Sequence, residues 1–288
     1  SPEDCCSKCA ARNPPCYAFT LVDGTCWMKG DDSNPVPDGP AVSGIARTAP
    51  LSPPAECSPD GQRCVYYDDG TNITSAMETA ARADIAIVFA YTTSSEGHDR
   101  QNLNLDDGAD YLIGNVSTVA GKTIAVMVTP GAILTPWRDG VEGIISAFMP
   151  GQEYGNAVTD VMWGDVAPTA RLPLTFPAEV NQIGLTPSQW PGINKVSTYS
   201  EKLEVGYRYY DAHNLEPAFP FGHGLTYGAD FVYQGTGMTA NRSGVSFQLL
   251  NKGSQDAREV VQLYLGFPDA AGEPPKQLKA FQIVSVAA

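Results

Sequence analysis

Asp84-Ile85-Ala86-Ile87-Val88-Phe89-Ala90-Tyr91 is followed by Thr123-Ile124-Ala125-Val126-Met127-Val128-Thr129 and then by Gly143-Ile144-Ile145-Ser146-Ala147-Phe148. Each run is short, and apolar residues fall on both alternations, as in a strand covered on its two faces. Between and around them, residues 75–82, 107–119 and 153–163 carry helical spacing. Strands alternating with helices predict an α/β domain over residues 71–228: an open, mostly parallel sheet with helices on both faces.

Working outward, residues 1–46 read as a small disulfide-rich α+β module, with Cys5, Cys6, Cys9, Cys16 and Cys26 crowded together. A short helix is expected at 3–12, and strands at 16–21 and 25–29 around Asp23-Gly24. A piece this small has too little core to stand without staples. Residues 47–70 form a Pro- and Ser-rich linker, in which Cys57 and Cys64 bracket Ser58-Pro59-Asp60-Gly61 and are placed to close a small loop. Beyond the α/β region, residues 229–288 show alternating strands at 245–250, 259–266 and 277–286, a partial antiparallel β-sandwich. Seven cysteines are an odd number, so one is expected to pair outside this chain.

Charge narrows the partners. Asp and Glu outnumber Lys and Arg by 32 to 18, giving −14, whereas nucleic-acid binding needs clustered cations. A neutral sugar is compatible with such a surface. The apolar run 85–90 is far shorter than the roughly 20 residues of a membrane-spanning helix. Cysteine density and the acceptor tripeptides at Asn72, Asn115 and Asn241 point to an oxidising, extracellular destination, although residues 1–6 show no signal-peptide pattern. Cys6-x-x-Cys9 also fits a redox pair or half a zinc site. However, His98, His213 and His223 are not spaced with it as zinc modules require, so disulfides are expected, with no metal and no cofactor.

Ligands of open parallel sheets bind beyond the carboxyl ends of the strands, which directs attention to Thr92-Thr93-Ser94-Ser95-Glu96-Gly97-His98-Asp99-Arg100. Beside a glycine, the Glu96 carboxyl can approach a substrate oxygen closely, and partial desolvation would fit it to donate a proton. On the residues alone, a solvated loop with Asp99 and Arg100 paired stays open. His98 reads either as a contact to a leaving-group sugar or as an exposed loop histidine. Glu153 is expected to complement a helix dipole, while Glu201, Asp211, Trp137, Trp163 and Trp190 fit packing as well as sugar contact.

Two resemblances sharpen these readings. Cys5-x3-Cys9, Asn13-Pro14-Pro15-Cys16-Tyr17-Ala18-Phe19 and Thr25-Cys26-Trp27-Met28-Lys29 resemble a PAN/Apple module, which implies Cys9–Cys16 and Cys5–Cys26 pairs. Ser95-Glu96-Gly97-x-Asp99-Arg100, Pro150-Gly151-Gln152-Glu153-x-Gly155-Asn156, Val205-Gly206-Tyr207-Arg208-Tyr209-Tyr210-Asp211 and Phe219-Pro220-Phe221-Gly222-His223-Gly224-Leu225 resemble the carboxyl-terminal α/β-sandwich domain of glycoside hydrolase family 3. Glu259-Val260-Val261-Gln262-Leu263-Tyr264 resembles that family's fibronectin type III-like domain.

The family resemblance implies retaining, exo-acting hydrolysis of terminal non-reducing β-linked sugars in glycosides or oligosaccharides, with Glu96 as general acid/base. It places the nucleophilic aspartate on an amino-terminal barrel that this chain lacks, so the chain alone is expected to be inactive. The competing expectation is a non-catalytic extracellular protein that binds carbohydrate or another protein.

Overall fold

The computed structural model of the chain describes residues 65–239 and 244–288, with Asn181 by its backbone only, and the backbones of three earlier strands. Those strands, β1 (Ala18–Val22), β2 (Thr25–Met28) and β3 (Ala41–Ile45), form an antiparallel sheet in the order β2-β1-β3. The hairpin expected around Asp23-Gly24 is thus β1 paired with β2, with Val22 opposite Thr25. The helix expected at 3–12, all seven cysteine side chains with their proposed pairings, and Asn241 lie outside the described residues.

By compactness the chain divides after Trp163, one unit running to that residue apart from 132–134 and the other holding 132–134 and 164–288. The first unit carries the parallel sheet. Helix α1 (Ile73–Ala80) begins two residues before the expected start at 75, because Asn72 caps it. The Asn72 Oδ1 accepts from the amides of Thr74 at 3.0 Å and Ser75 at 3.2 Å, which satisfies two otherwise unpaired donors of the first turn. Asn72→Ala is expected to lower stability by about 1 kcal/mol, read as a shift of the urea midpoint at constant slope.

Strand β4 (Ala86–Tyr91) pairs in parallel with β5 (Thr123–Val128), and β5 with β6 (Gly143–Ser146). Lying between two partners, β5 is the best buried, with Ala125, Val126 and Met127 at 0% exposure. Helix α2 (Ala109–Val116) packs on α1 and β4 through its inward face, Ala109, Ile113 and Val116. Helix α3 (Tyr154–Trp163) runs beside β1 and β3.

The structure adds two details to the expected sheet. Successive β5 residues Ala125, Val126 and Met127 are buried on both faces, whereas on β4 Phe89 and Tyr91 remain 49% and 45% exposed while Ala86, Val88 and Ala90 are buried. An unbroken apolar run reports that both faces are apolar, and among the described residues one face of β4 is the better covered. Strand β6 stops at Ser146 instead of 148, because Phe148 turns to φ 53° and its carbonyl receives the Thr129 amide at 3.1 Å.

The second unit holds the stretch 164–228 together with the terminal strands. Its elements are α4 (Tyr207–His213) and two antiparallel pairs, β7 (Phe231–Met238) with β8 (Val245–Asn251) and β9 (Ala257–Gly266) with β10 (Lys276–Val286). Long-range bonds explain the joining. Gly222 accepts from the Gln262 side chain at 3.0 Å, and the Tyr207 hydroxyl receives the Leu278 amide at 2.8 Å. Gly222 sits at φ 79°, a left-handed conformation that favours glycine.

Strand β7 is absent from the sequence reading. Gly235 and Gly237 interrupt its pattern, and the pairing shifts register between Gln234 and Gly237, as a bulge does.

Candidate active site

The loop after β4 leaves the carboxyl edge of the parallel sheet, where open sheets bind their ligands. Ser95 and His98 form an antiparallel bridge, which makes Ser95-Glu96-Gly97-His98 a tight turn with Glu96 at its tip. Gly97 takes φ 80° at the third position, as a type II turn demands, and a Cβ there would meet nothing within 4 Å. Backbone conformation, not space, therefore selects glycine.

Glu96 and His98 are both exposed. The described residues do not supply the desolvation expected for Glu96, and none of them gives either side chain a charged partner.

What holds the loop lies at its neck. Asp106 Oδ1 accepts from the Thr92 hydroxyl at 3.0 Å, while Oδ2 accepts from the Thr93 amide at 2.8 Å and the Thr93 hydroxyl at 2.7 Å. Burial pushes the Asp106 carboxyl up, but the Thr93 and Thr92 bonds and the Arg100 charge outweigh it and hold it below the usual carboxylate range. With its folded value depressed, Asp106 adds stability that is present above the ordinary aspartate range and disappears as pH falls through the lowered value.

Tyr91, the last residue of β4, donates its hydroxyl to Asp107, whose backbone is left-handed at φ 52°. The hydrogen bond to that carboxylate, with some burial and the charges of Asp107 and Asp106, raises the Tyr91 phenol above its ordinary value. Asp110 continues the series: it accepts from the Leu105 amide at 2.9 Å and from the Trp137 indole at 2.8 Å. The indole is 6% exposed, so Trp137 is a packing residue that ties the loop after β5 to α2. Trp137→Phe should cost about 1–3 kcal/mol in urea unfolding, since it leaves a carboxylate lone pair without its donor.

The other sequence candidates lie elsewhere. Glu153, before α3, accepts from the Asn156 side chain; Glu201 accepts from Gln189 at 2.9 Å; Asp211 pairs with Lys276 at 3.1 Å. All three are structural contacts. Trp163 and Trp190 are 50% and 53% exposed. Among the acceptor asparagines, Asn72 is an exposed cap that uses its oxygen, leaving Nδ2 uncommitted to the cap. Asn115 instead donates Nδ2 to the Tyr111 carbonyl within α2 at 2.8 Å.

Asp106, Asp107 and Asp110 were missed as site residues. Asp106-Asp107-Gly108 before an apolar helical run reads as a helix start, and nothing local shows that its carboxylates reach back to Tyr91, Thr92 and Thr93. Among the described residues, no group of three or more His, Cys, Asp or Glu could hold a metal ion, and no helix is long and apolar enough to cross a membrane.

Comparison with known proteins gives this geometry a context. The model of the glycosyl hydrolase family 3 C-terminal domain matches residues 10–227, and that of the fibronectin type III-like domain matches residues 259–288. A β-glucosidase of Rhizobium radiobacter is 37% identical over 227 residues, covering 75% of this chain and 28% of its own length. The thermostable β-glucosidase B of Acetivibrio thermocellus is 35% identical, with 74% of this chain and 29% of its own length aligned. The crystal structure of a β-glucosidase from Streptomyces venezuelae in complex with D-glucose superposes with a TM-score of 0.71 at 31% identity, covering 95% of this chain and 36% of that one. The chain thus spans under two fifths of the length of each of these relatives.

Proposed function

Because the chain belongs to glycoside hydrolase family 3, we propose that it is the carboxyl-terminal part of a secreted, exo-acting β-glucosidase-type enzyme and that Glu96 is its general acid/base. The observation that carries the reading is the position of Glu96, at the tip of a glycine-enforced turn on the carboxyl edge of the parallel sheet. The names of the relatives support the sugar and the linkage.

In a retaining mechanism two carboxyl groups stand about 5 Å apart across the anomeric carbon. Glu96 would protonate the glycosidic oxygen as the bond to the leaving group breaks and a nucleophilic carboxylate bonds to the anomeric carbon. It would then take a proton from the water that displaces that carboxylate. The nucleophile is assigned to a barrel domain outside these 288 residues, for which the longer relatives leave room. An exposed Glu96 fits this division of labour, because the wall that desolvates it would come from the partner domain and the bound sugar. His98, two residues on and exposed, is assigned to the leaving-group side.

Secretion rests on the cysteine density and on the exposed acceptor at Asn72, whose cap would survive attachment of a glycan to Nδ2.

The test is to assay the complete protein on a panel of aryl β-glycosides and to follow the first-formed sugar by proton NMR. The expected result is release of a terminal sugar as the β-anomer. No hydrolysis of any glycoside, or the α-anomer first, would overturn the reading.

A further inference from the structure

We propose that Asp106 is a positioning residue that fixes the Glu96 turn for proton transfer; this rests on the reading of Glu96 as acid/base. The loop leaves the sheet at Thr92 and returns at Leu105, and Asp106 bonds across that neck to Thr92 and Thr93 through three hydrogen bonds of 2.7–3.0 Å. Thr93 is three residues before Glu96.

Thr92 is buried at 7% exposure, so this side of the neck is anchored in the packed sheet, while the turn itself is exposed. A clamp at the base of an exposed loop removes conformations the tip would otherwise sample, and a catalytic group misplaced by about 1 Å can lose about a hundredfold in rate. The clamp is directional as well as tight. Both carboxylate oxygens are engaged, and the Arg100 charge on the loop's return limb favours the ionised form that can accept all three bonds. Asp106 accepts from Thr92 and Thr93 and acts through them, not on the substrate.

The consequence is a selective loss. Breaking the bond to a poor leaving group needs the proton, whereas an activated aryl group leaves without it. In the complete enzyme, Asp106→Ala should lower kcat/KM at least about tenfold on methyl β-glucoside and less than about threefold on 2,4-dinitrophenyl β-glucoside. Asp106→Asn keeps an acceptor for Thr93 and offers an amide to the Thr92 hydroxyl, and it should recover methyl glucoside hydrolysis to within about threefold of the parent.

Thr93→Val removes one of the three bonds without touching the carboxylate; it should give the same skew, smaller, and it decides the matter if the alanine variant does not fold. Equal losses on both substrates, or an asparagine variant as damaged as alanine, would overturn the assignment. Glu96→Gln is run alongside. If it shows the skew and the Asp106 and Thr93 variants do not, the positioning role alone falls; if it shows none, the Glu96 reading falls and this one with it.

Discussion

Glu96→Gln in the complete enzyme is expected to lower kcat/KM for methyl β-glucoside by about 10²–10⁴-fold while leaving 2,4-dinitrophenyl β-glucoside close to the parent rate in its first step. Glutamine keeps the size of the side chain and can still hydrogen-bond, so the substitution removes only the proton. The limb of the pH–rate profile that reports the essential acid should vanish with it. Azide supplies a second reading. With no base to activate water, the glycosyl-enzyme formed from the activated substrate waits, and the anion attacks its anomeric carbon and expels the enzyme carboxylate. Faster turnover and β-glucosyl azide as product are expected. A variant that matches the parent on both substrates, with no azide product, would remove Glu96 from the mechanism.

The loop that carries Glu96 was legible in the sequence because it follows an apolar strand on the ligand side of a parallel sheet, and the motif around Glu96 singled the residue out through the family resemblance. The turn between Ser95 and His98, with Gly97 at positive φ, is what the structure adds. The neck was not legible. Its bonds join residues 13 and 14 positions apart in sequence, and the aspartates that make them look, one by one, like helix-start chemistry. Local pattern finds turns and strands; it does not find which side chains a turn brings back together.

The same limit shows in the fold. The apolar run of β4 predicts a strand of a parallel sheet, and the structure pairs it in parallel with β5, but the run alone does not show that Phe89 and Tyr91 stay half-exposed. The boundary expected at residue 228 follows a change of periodicity, from an irregular Pro- and Tyr-rich stretch to alternating strands, whereas the contacts that hold the first stretch to the second are not visible in that pattern. Phe176 and Phe219 bridge within that stretch, their rings edge to face at 6.2 Å, and Tyr207 packs against Phe221 at 4.8 Å and donates its ring edge or face to Tyr264 at 5.9 Å. These aromatic contacts carry the irregular segment onto β9 and β10.

The largest stability effect is expected at the ion pair that completes this attachment. Arg171 and Glu259 meet at 2.6 Å with both side chains 12% exposed, and the second Glu259 oxygen accepts from the Tyr233 hydroxyl at 3.1 Å. Burial, the Glu259 charge and that hydrogen bond push the Tyr233 phenol up to about 12, with Arg171 opposing, so tyrosine remains a neutral donor throughout the working range. Arg171→Ala would strand a buried carboxylate, and breaking one partner of such a pair typically costs about 3–5 kcal/mol. Arg171→Met with Glu259→Gln removes both charges and leaves an acceptor for Tyr233. It should recover most of that loss, because two ions must be desolvated to form the pair in the first place. Urea unfolding of the complete protein, with the second unit followed by hydrogen exchange in β9, separates the outcomes. A single variant within about 1 kcal/mol of the parent would show that solvent already screens the pair. A double variant as unstable as the single would show that the attachment depends on the charges themselves.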